Sequence, residues 1–155
     1  MAGERVSRRS VLASTATTRL RPREGKLLRV MLLIKGDPEP GATPSEELLS
    51  AMGKYNDELK GAGVLLDLAG LHPSGEGMRV RFSNGERTVV DGPFGEKDAV
   101  AGYWILQVQS MDEAVEWAER LPFEALARIY PGEYGAQGEV ELRQVFEMEG
   151  PGTTR

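Results

Sequence analysis

Apolar residues along this chain switch between a period of two and a period near 3.6, with Gly- and Pro-rich turns between the blocks. Leu27 to Ile34 is apolar except at Arg29, which predicts a short strand buried on both faces. Lys35-Gly36-Asp37-Pro38-Glu39-Pro40-Gly41 ends it with turn formers. Thr43-Pro44-Ser45-Glu46 predicts a helix start, with Thr43 as cap, Pro44 at the first helical position and Glu46 closing a capping box. Leu48, Met52, Tyr55 and Leu59 make one buried stripe, and Gly61 or Gly63 stops the helix. Val64 to Leu68 is a second strand, and Met78-Arg79-Val80-Arg81-Phe82 alternates with period two. Asn84-Gly85 is a strong two-residue hairpin signal, so Arg87 to Val90 returns antiparallel to it.

Gly102 to Val108 predicts another strand. Ser110-Met111-Asp112-Glu113 repeats the capping-box pattern, Ala114, Val115, Ala118 and Leu121 form a second helical stripe, and Pro122 closes it. Phe123 to Gln137 reads as a loop with room for one helical turn, and Val140, Leu142, Phe146 and Met148 mark a last strand. The order is β-α-β, a hairpin, then β-α-β. It predicts an α+β domain: a ferredoxin-like antiparallel sheet with two helices on one face and an inserted β-hairpin. The face away from the helices is bare, and Trp104, Leu106, Leu142 and Phe146 are its expected apolar groups. An uncovered apolar face predicts a homodimer.

Composition narrows the chemistry. The 155 residues carry no cysteine and one histidine, His72. Disulfides, thiolate catalysis and cysteine-ligated zinc are therefore excluded, and neither a metal site nor a cofactor is expected. No run approaches the roughly 20 apolar residues needed to span a bilayer, so a cytoplasmic location without membrane attachment is expected. Residues 1–29 hold eight Lys/Arg against Glu4 and Glu24, a charge of +6, which leaves −11 on the rest of a chain whose net charge is −5. An acidic body repels phosphate backbones and argues against nucleic-acid binding. Ser7-Arg8-Arg9-Ser10-Val11-Leu12-Ala13 looks like a twin-arginine export pattern, yet the next residues are polar where an apolar stretch is required. Residues 1–26 are expected to form a poorly ordered basic tail, 27–149 the domain, and 150–155 a C-terminal tail.

Met31-Leu32-Leu33-Ile34-Lys35-Gly36-Asp37, Leu71-His72-Pro73-Ser74, Val89-Val90-Asp91-Gly92-Pro93-Phe94 and Gly102-Tyr103-Trp104, in that order, resemble the YCII-related family and its DGPF subgroup. The resemblance covers about residues 29–149. It implies a dimeric ferredoxin-like α/β-barrel, in a family of mostly small bacterial proteins. In the broader superfamily a His–Asp pair has been proposed as an active site, and one relative is a dehydrochlorinase. Asp91 lies in the matching motif and carries over directly, whereas His72 carries over less tightly. Phe94-Gly95-Glu96-Lys97-Asp98 departs from the Phe-Ala-Glu-Thr-Lys-Glu common in the subgroup.

The hairpin register adds geometry without the family. A two-residue Asn84-Gly85 turn pairs Ser83 with Glu86 and Met78 with Asp91, and His72 to Gly77 enters at the same open end. His72 and Asp91 are thus the candidate catalytic pair. A carboxylate beside an imidazole orients it for proton transfer, in an isomerisation, elimination or hydration of a small organic acid. Asp before Gly-Pro equally serves as a turn former. Asp37, Arg79, Arg81, Phe94, Tyr103 and Trp104 are the candidate ligand-binding residues. Asp37 also reads as a turn residue, the two arginines as a solvated face, and one of Tyr103 and Trp104 as core. The competing functions are a cofactor-independent lyase or isomerase, and a non-catalytic small-ligand-binding or interaction dimer.

Overall fold

A computed structural model of the chain describes residues 26–38, 43–95, 99–127 and 138–147. The expected basic tail, apart from Lys26, and the C-terminal tail lie outside the described residues. Strand β1 (Leu28–Lys35) is followed by helix α1 (Glu46–Gly61), β2 (Leu65–Gly70), a single 3-10 turn (Ser74–Glu76), and the hairpin β3 (Met78–Ser83) and β4 (Glu86–Asp91). Strand β5 (Val100–Val108), helices α2 (Met111–Ala118) and α3 (Phe123–Ala127), and strand β6 (Glu139–Gln144) complete it. The main sheet has the order β2-β5-β1-β6 with every neighbouring pair antiparallel, and β3-β4 is a separate two-stranded sheet. This mixed α+β architecture is compatible with the ferredoxin-like expectation.

Local chemistry sets the helix ends. The α1 cap is Ser45, whose hydroxyl accepts from Leu48 N at 3.0 Å. Thr43 was the expected cap; the hydroxyl two residues later is the one that reaches a free amide of the first turn. The helix closes in a Schellman arrangement: Gly63 takes φ +76°, Gly63 N donates to the Lys60 carbonyl, and Val64 N donates to that of Leu59. In α2, Ser110 Oγ accepts from Glu113 N at 3.1 Å, and Glu113 Oε1 accepts from Gln109 N at 2.7 Å. At the hairpin tip Asn84 and Gly85 both have positive φ, as a type I′ turn requires, and the register pairs Met78 with Asp91 as expected.

One core joins the sheet and the helices. It holds Val30, Leu32 and Ile34 of β1, Trp104, Leu106 and Val108 of β5, Leu48, Tyr55 and Leu59 of α1, and Ala114 and Ala118 of α2. Trp104 and Leu106 therefore belong to this core and not to the bare face where they were expected. They pair across from Leu32 and Val30, and opposed residues in an antiparallel ladder share a face. Leu142, opposite Leu32, joins the same side, and Phe146 follows β6 and is exposed. Met148 lies outside the described residues. The opposite parity, Met31, Leu33, Tyr103 and Ile105, marks the other face, and all four are half-buried. On the hairpin, Met78, Val80, Phe82 and Val89 share one exposed face.

Candidate binding site

Three segments meet where the hairpin leaves the main sheet. Ser74 N donates to Asp37 Oδ1 at 2.8 Å, and Ser74 Oγ donates to Asp37 Oδ2 at 2.6 Å. The same Oγ accepts from Phe94 N at 2.9 Å. Ser74 thus clasps the end of β1 to the Asp91-Gly92-Pro93-Phe94 turn. The Gly92–Pro93 peptide is cis, and Gly92 N donates to the Gly77 carbonyl at 3.0 Å. Gly92 lies so close that a Cβ there would collide with the Ser74 carbonyl oxygen. The Arg79 guanidinium covers the Phe94 ring at 3.9 Å from its centroid. Asp37, Phe94 and Arg79 therefore hold the junction together, while Arg81 is exposed.

Beside this junction lies a cavity of about 510 Å³, within the range of small-ligand sites. Leu48, Leu49, Met52 and Asn56 of α1 form one wall. Ile34, Gly70, Gly102 and Trp104 contribute from the sheet, and Leu71, His72 and Pro73 from the segment after β2. Gly70 and Gly102 are directly paired across β2 and β5, on the side of the sheet that carries Ile34 and Trp104. Two adjacent strands thus lack side chains at one spot. A Cβ at Gly70 would meet nothing within 4 Å. The hollow is left unfilled at Gly70, whereas a Cβ at Gly102 would press on the Ala69 carbonyl oxygen, so Gly102 lets β2 approach β5 closely; Leu49, Leu68 and Leu71 remain substantially exposed along the hollow.

Polar groups on the lining are few. Trp104 Nε1 donates to Asn56 Oδ1 at 2.8 Å. Tyr103 turns its side chain to the opposite face of the sheet, where Oη donates to Asp67 Oδ2 at 3.2 Å; that bond, and the negative charge of Asp67, raise the Tyr103 pKa. His72 is largely exposed, and its Nδ1 lies 3.1 Å from Glu76 Oε1. Among the described residues no hydrogen bond or ion pair joins His72 to Asp91. Asp91 stands at the end of β4 opposite Met78, on the exposed side of the hairpin base. Of the candidates from sequence, His72, Tyr103 and Trp104 line the cavity, and Asp37, Arg79, Arg81, Asp91 and Phe94 do not.

Sequence reasoning missed Ser74, Asn56, Glu76 and the two glycines. Asn56 had a readable signal: it stands four residues after Met52 on the apolar stripe of α1, where a polar residue is out of place. Glu76 follows His72 at the i+4 spacing that one tight turn brings together. Among the described residues, no group of three or more His, Asp or Glu side chains is placed to hold a metal ion. No helix among them is long and apolar enough to cross a membrane.

The family model for the YCII-related domain matches residues 28–149, so the chain belongs to the YCII-related family. An uncharacterized protein of Rhizobium meliloti (strain 1021) is 39% identical over 61 residues, covering 39% of this chain. The chain spans about half, 49%, of that relative's length.

Proposed function

We propose that this YCII-related protein, of the DGPF subgroup, binds a small, largely apolar organic molecule in the cavity between α1 and the β2–β5 strands. The observation that carries the reading is the cavity itself, walled by Leu48, Leu49 and Met52 of α1 and left open on the sheet side at Gly70, where a side chain would meet nothing. A well-packed interior fills such a spot, because an empty apolar hollow forfeits dispersion contacts. A thermal-shift screen of small organic acids and ketones on wild type, Gly70→Val, His72→Ala and Asp91→Asn tests it. Valine adds bulk into open space at Gly70 and suits a strand. Hits stabilise wild type and Asp91→Asn and lose their effect in Gly70→Val. Hits that stabilise Gly70→Val equally well overturn the reading.

A homodimer goes with this function. Met31, Leu33 and Ile105 stand on the sheet face turned from the helices; Arg143 and Glu141, paired across from Met31 and Leu33, share that face and form an ion pair with each other, so a second copy laid over it buries apolar area beside charges that already have partners. Together with the strand order, this supports the dimeric α/β-barrel.

A cofactor-independent lyase or isomerase is the second reading, and His72 on the cavity lining supports it. His72 would carry the proton, with Asp91 or the adjacent Glu76 as the orienting carboxylate. Screening hits incubated in heavy water give His72-dependent exchange at an acidic carbon under this reading. Glu76→Gln and Asp91→Asn separate the two carboxylates. Exchange that persists in His72→Ala, or none with any hit, leaves binding without catalysis.

A further inference from the structure

The orientation of the Asn56 amide is dictated by its neighbour. An indole N–H only donates, so Asn56 must turn its oxygen toward Trp104 Nε1, which it meets at 2.8 Å. Its Nδ2 then has two N–H groups left over. The Asn56 side chain makes no other hydrogen bond among the described residues. It is half-buried, and its neighbours on the α1 wall are Leu48, Leu49 and Met52.

Rotation of the amide is blocked from behind. The Trp104 ring meets Tyr55 edge-on, with centroids 5.4 Å apart at 84°. Tyr55 Oη in turn donates to the Trp117 carbonyl at 2.8 Å. Flipping Asn56 would leave the Trp104 N–H facing another donor, and Trp104 is only 4% exposed, so water offers little relief.

We propose that Asn56 is the specificity-determining residue of the cavity, and that its Nδ2 donates to a carbonyl or carboxylate oxygen of the occupant. The inference rests on the cavity being a ligand site. An occupant that displaces water from Asn56 without offering an acceptor strands a donor among apolar groups, and one that presents an oxygen restores the bond. The ligand class is therefore a compact apolar body bearing a ketone, ester, amide or carboxylate, and a plain hydrocarbon of the same shape is discriminated against.

Acetophenone and α-methylstyrene test this, because they differ in shape only by a carbonyl oxygen in place of a methylene. Each is titrated into the full chain by amide and indole NMR, with wild type, Asn56→Asp, Asn56→Leu and Gly70→Val. Wild type binds acetophenone about three- to tenfold tighter, the margin of one neutral hydrogen bond. Asn56→Asp keeps an oxygen for the Trp104 indole, whose N–H resonance stays in place, and loses the preference. Asn56→Leu loses it too, which keeps the test intact if the aspartate perturbs folding. Equal binding of both probes to wild type, lost in Gly70→Val, refutes the donor role and leaves the cavity as a site. A preference that survives both Asn56 variants assigns the donor elsewhere and also refutes it. Failure of both probes to bind wild type overturns the cavity reading and this inference with it.

Discussion

Ser74→Ala removes one hydroxyl that works in two directions. The Oγ donates to Asp37 Oδ2 at 2.6 Å and accepts from Phe94 N at 2.9 Å, while the backbone bond from Ser74 N to Asp37 Oδ1 survives the substitution. A hydrogen bond to a charged group contributes about 1.5–3 kcal/mol and a neutral one about 0.5–1.5 kcal/mol. Ser74 and Asp37 are half-buried, so water takes over part of each, and the expected loss is about 2 kcal/mol. With a urea m-value of about 1–3 kcal/mol per molar, the unfolding midpoint falls by roughly 1 M with m unchanged. Hydrogen exchange at the Phe94 amide accelerates, because that N–H loses its protein acceptor. His72→Ala serves as the control. Its side chain is largely exposed and, among the described residues, pairs only with the surface carboxylate of Glu76, so the midpoint barely moves. A Ser74→Ala protein that unfolds with wild type, its Phe94 amide still protected, would show that the junction is held by other contacts.

Gly92→Ala drives a methyl group into the Ser74 carbonyl and costs about 1–3 kcal/mol through a forced backbone shift, read as a lowered melting temperature. Leu59→Ala empties a fully buried site between α1 and the sheet and costs about 2–5 kcal/mol in urea unfolding. Burial pushes the Tyr55 phenol above its ordinary pKa of 10.0. The folded state therefore holds that proton more tightly. The resulting stability is complete below about pH 10 and is lost as pH rises toward the folded-state value, at about 1.4 kcal/mol per pH unit. Tyr55→Phe removes that slope and deletes the late-titrating component from the phenolate absorbance curve. Leu33→Arg puts a charge on the proposed dimer face, and sedimentation distinguishes a monomer of 16.9 kDa from an unaffected dimer.

Much of the architecture was legible because it rests on local signals. Asn84-Gly85 set the hairpin turn and with it every pair in the β3–β4 ladder. Ser110 and Glu113 marked the start of α2. The faces of the main sheet were not legible in the same way. Strand β5 reads Gly-Tyr-Trp-Ile-Leu, apolar at both parities, so nothing within it says whether Trp104 or Tyr103 turns inward. Only pairing with Leu32, and packing against Tyr55 and Asn56, decides that. The candidate site was half readable for the same reason. The Asp-Gly-Pro-Phe turn was visible as a motif. Its anchor, Ser74, lies 20 residues earlier and looked like part of a loop. The second strand was expected to end at Leu68, and it runs on to Gly70; that this glycine opens onto a cavity appears only once α1 packs over the sheet.

The Ser74 clasp also has a consequence for how the domain tolerates change. The chain leaves this point at Ser74 and returns to it at Phe94, so the intervening ribbon is a closed excursion whose two ends are fastened together at its base. Its strands hydrogen-bond to each other and not to the main sheet. Loop-closure entropy grows only slowly with length, by about 0.6 kcal/mol per doubling. Extra residues spliced in between Asn84 and Gly85 would lengthen the ribbon's far end and leave the Asp37–Ser74–Phe94 fastening unchanged. That makes the far end the natural insertion point for a fluorophore or affinity label.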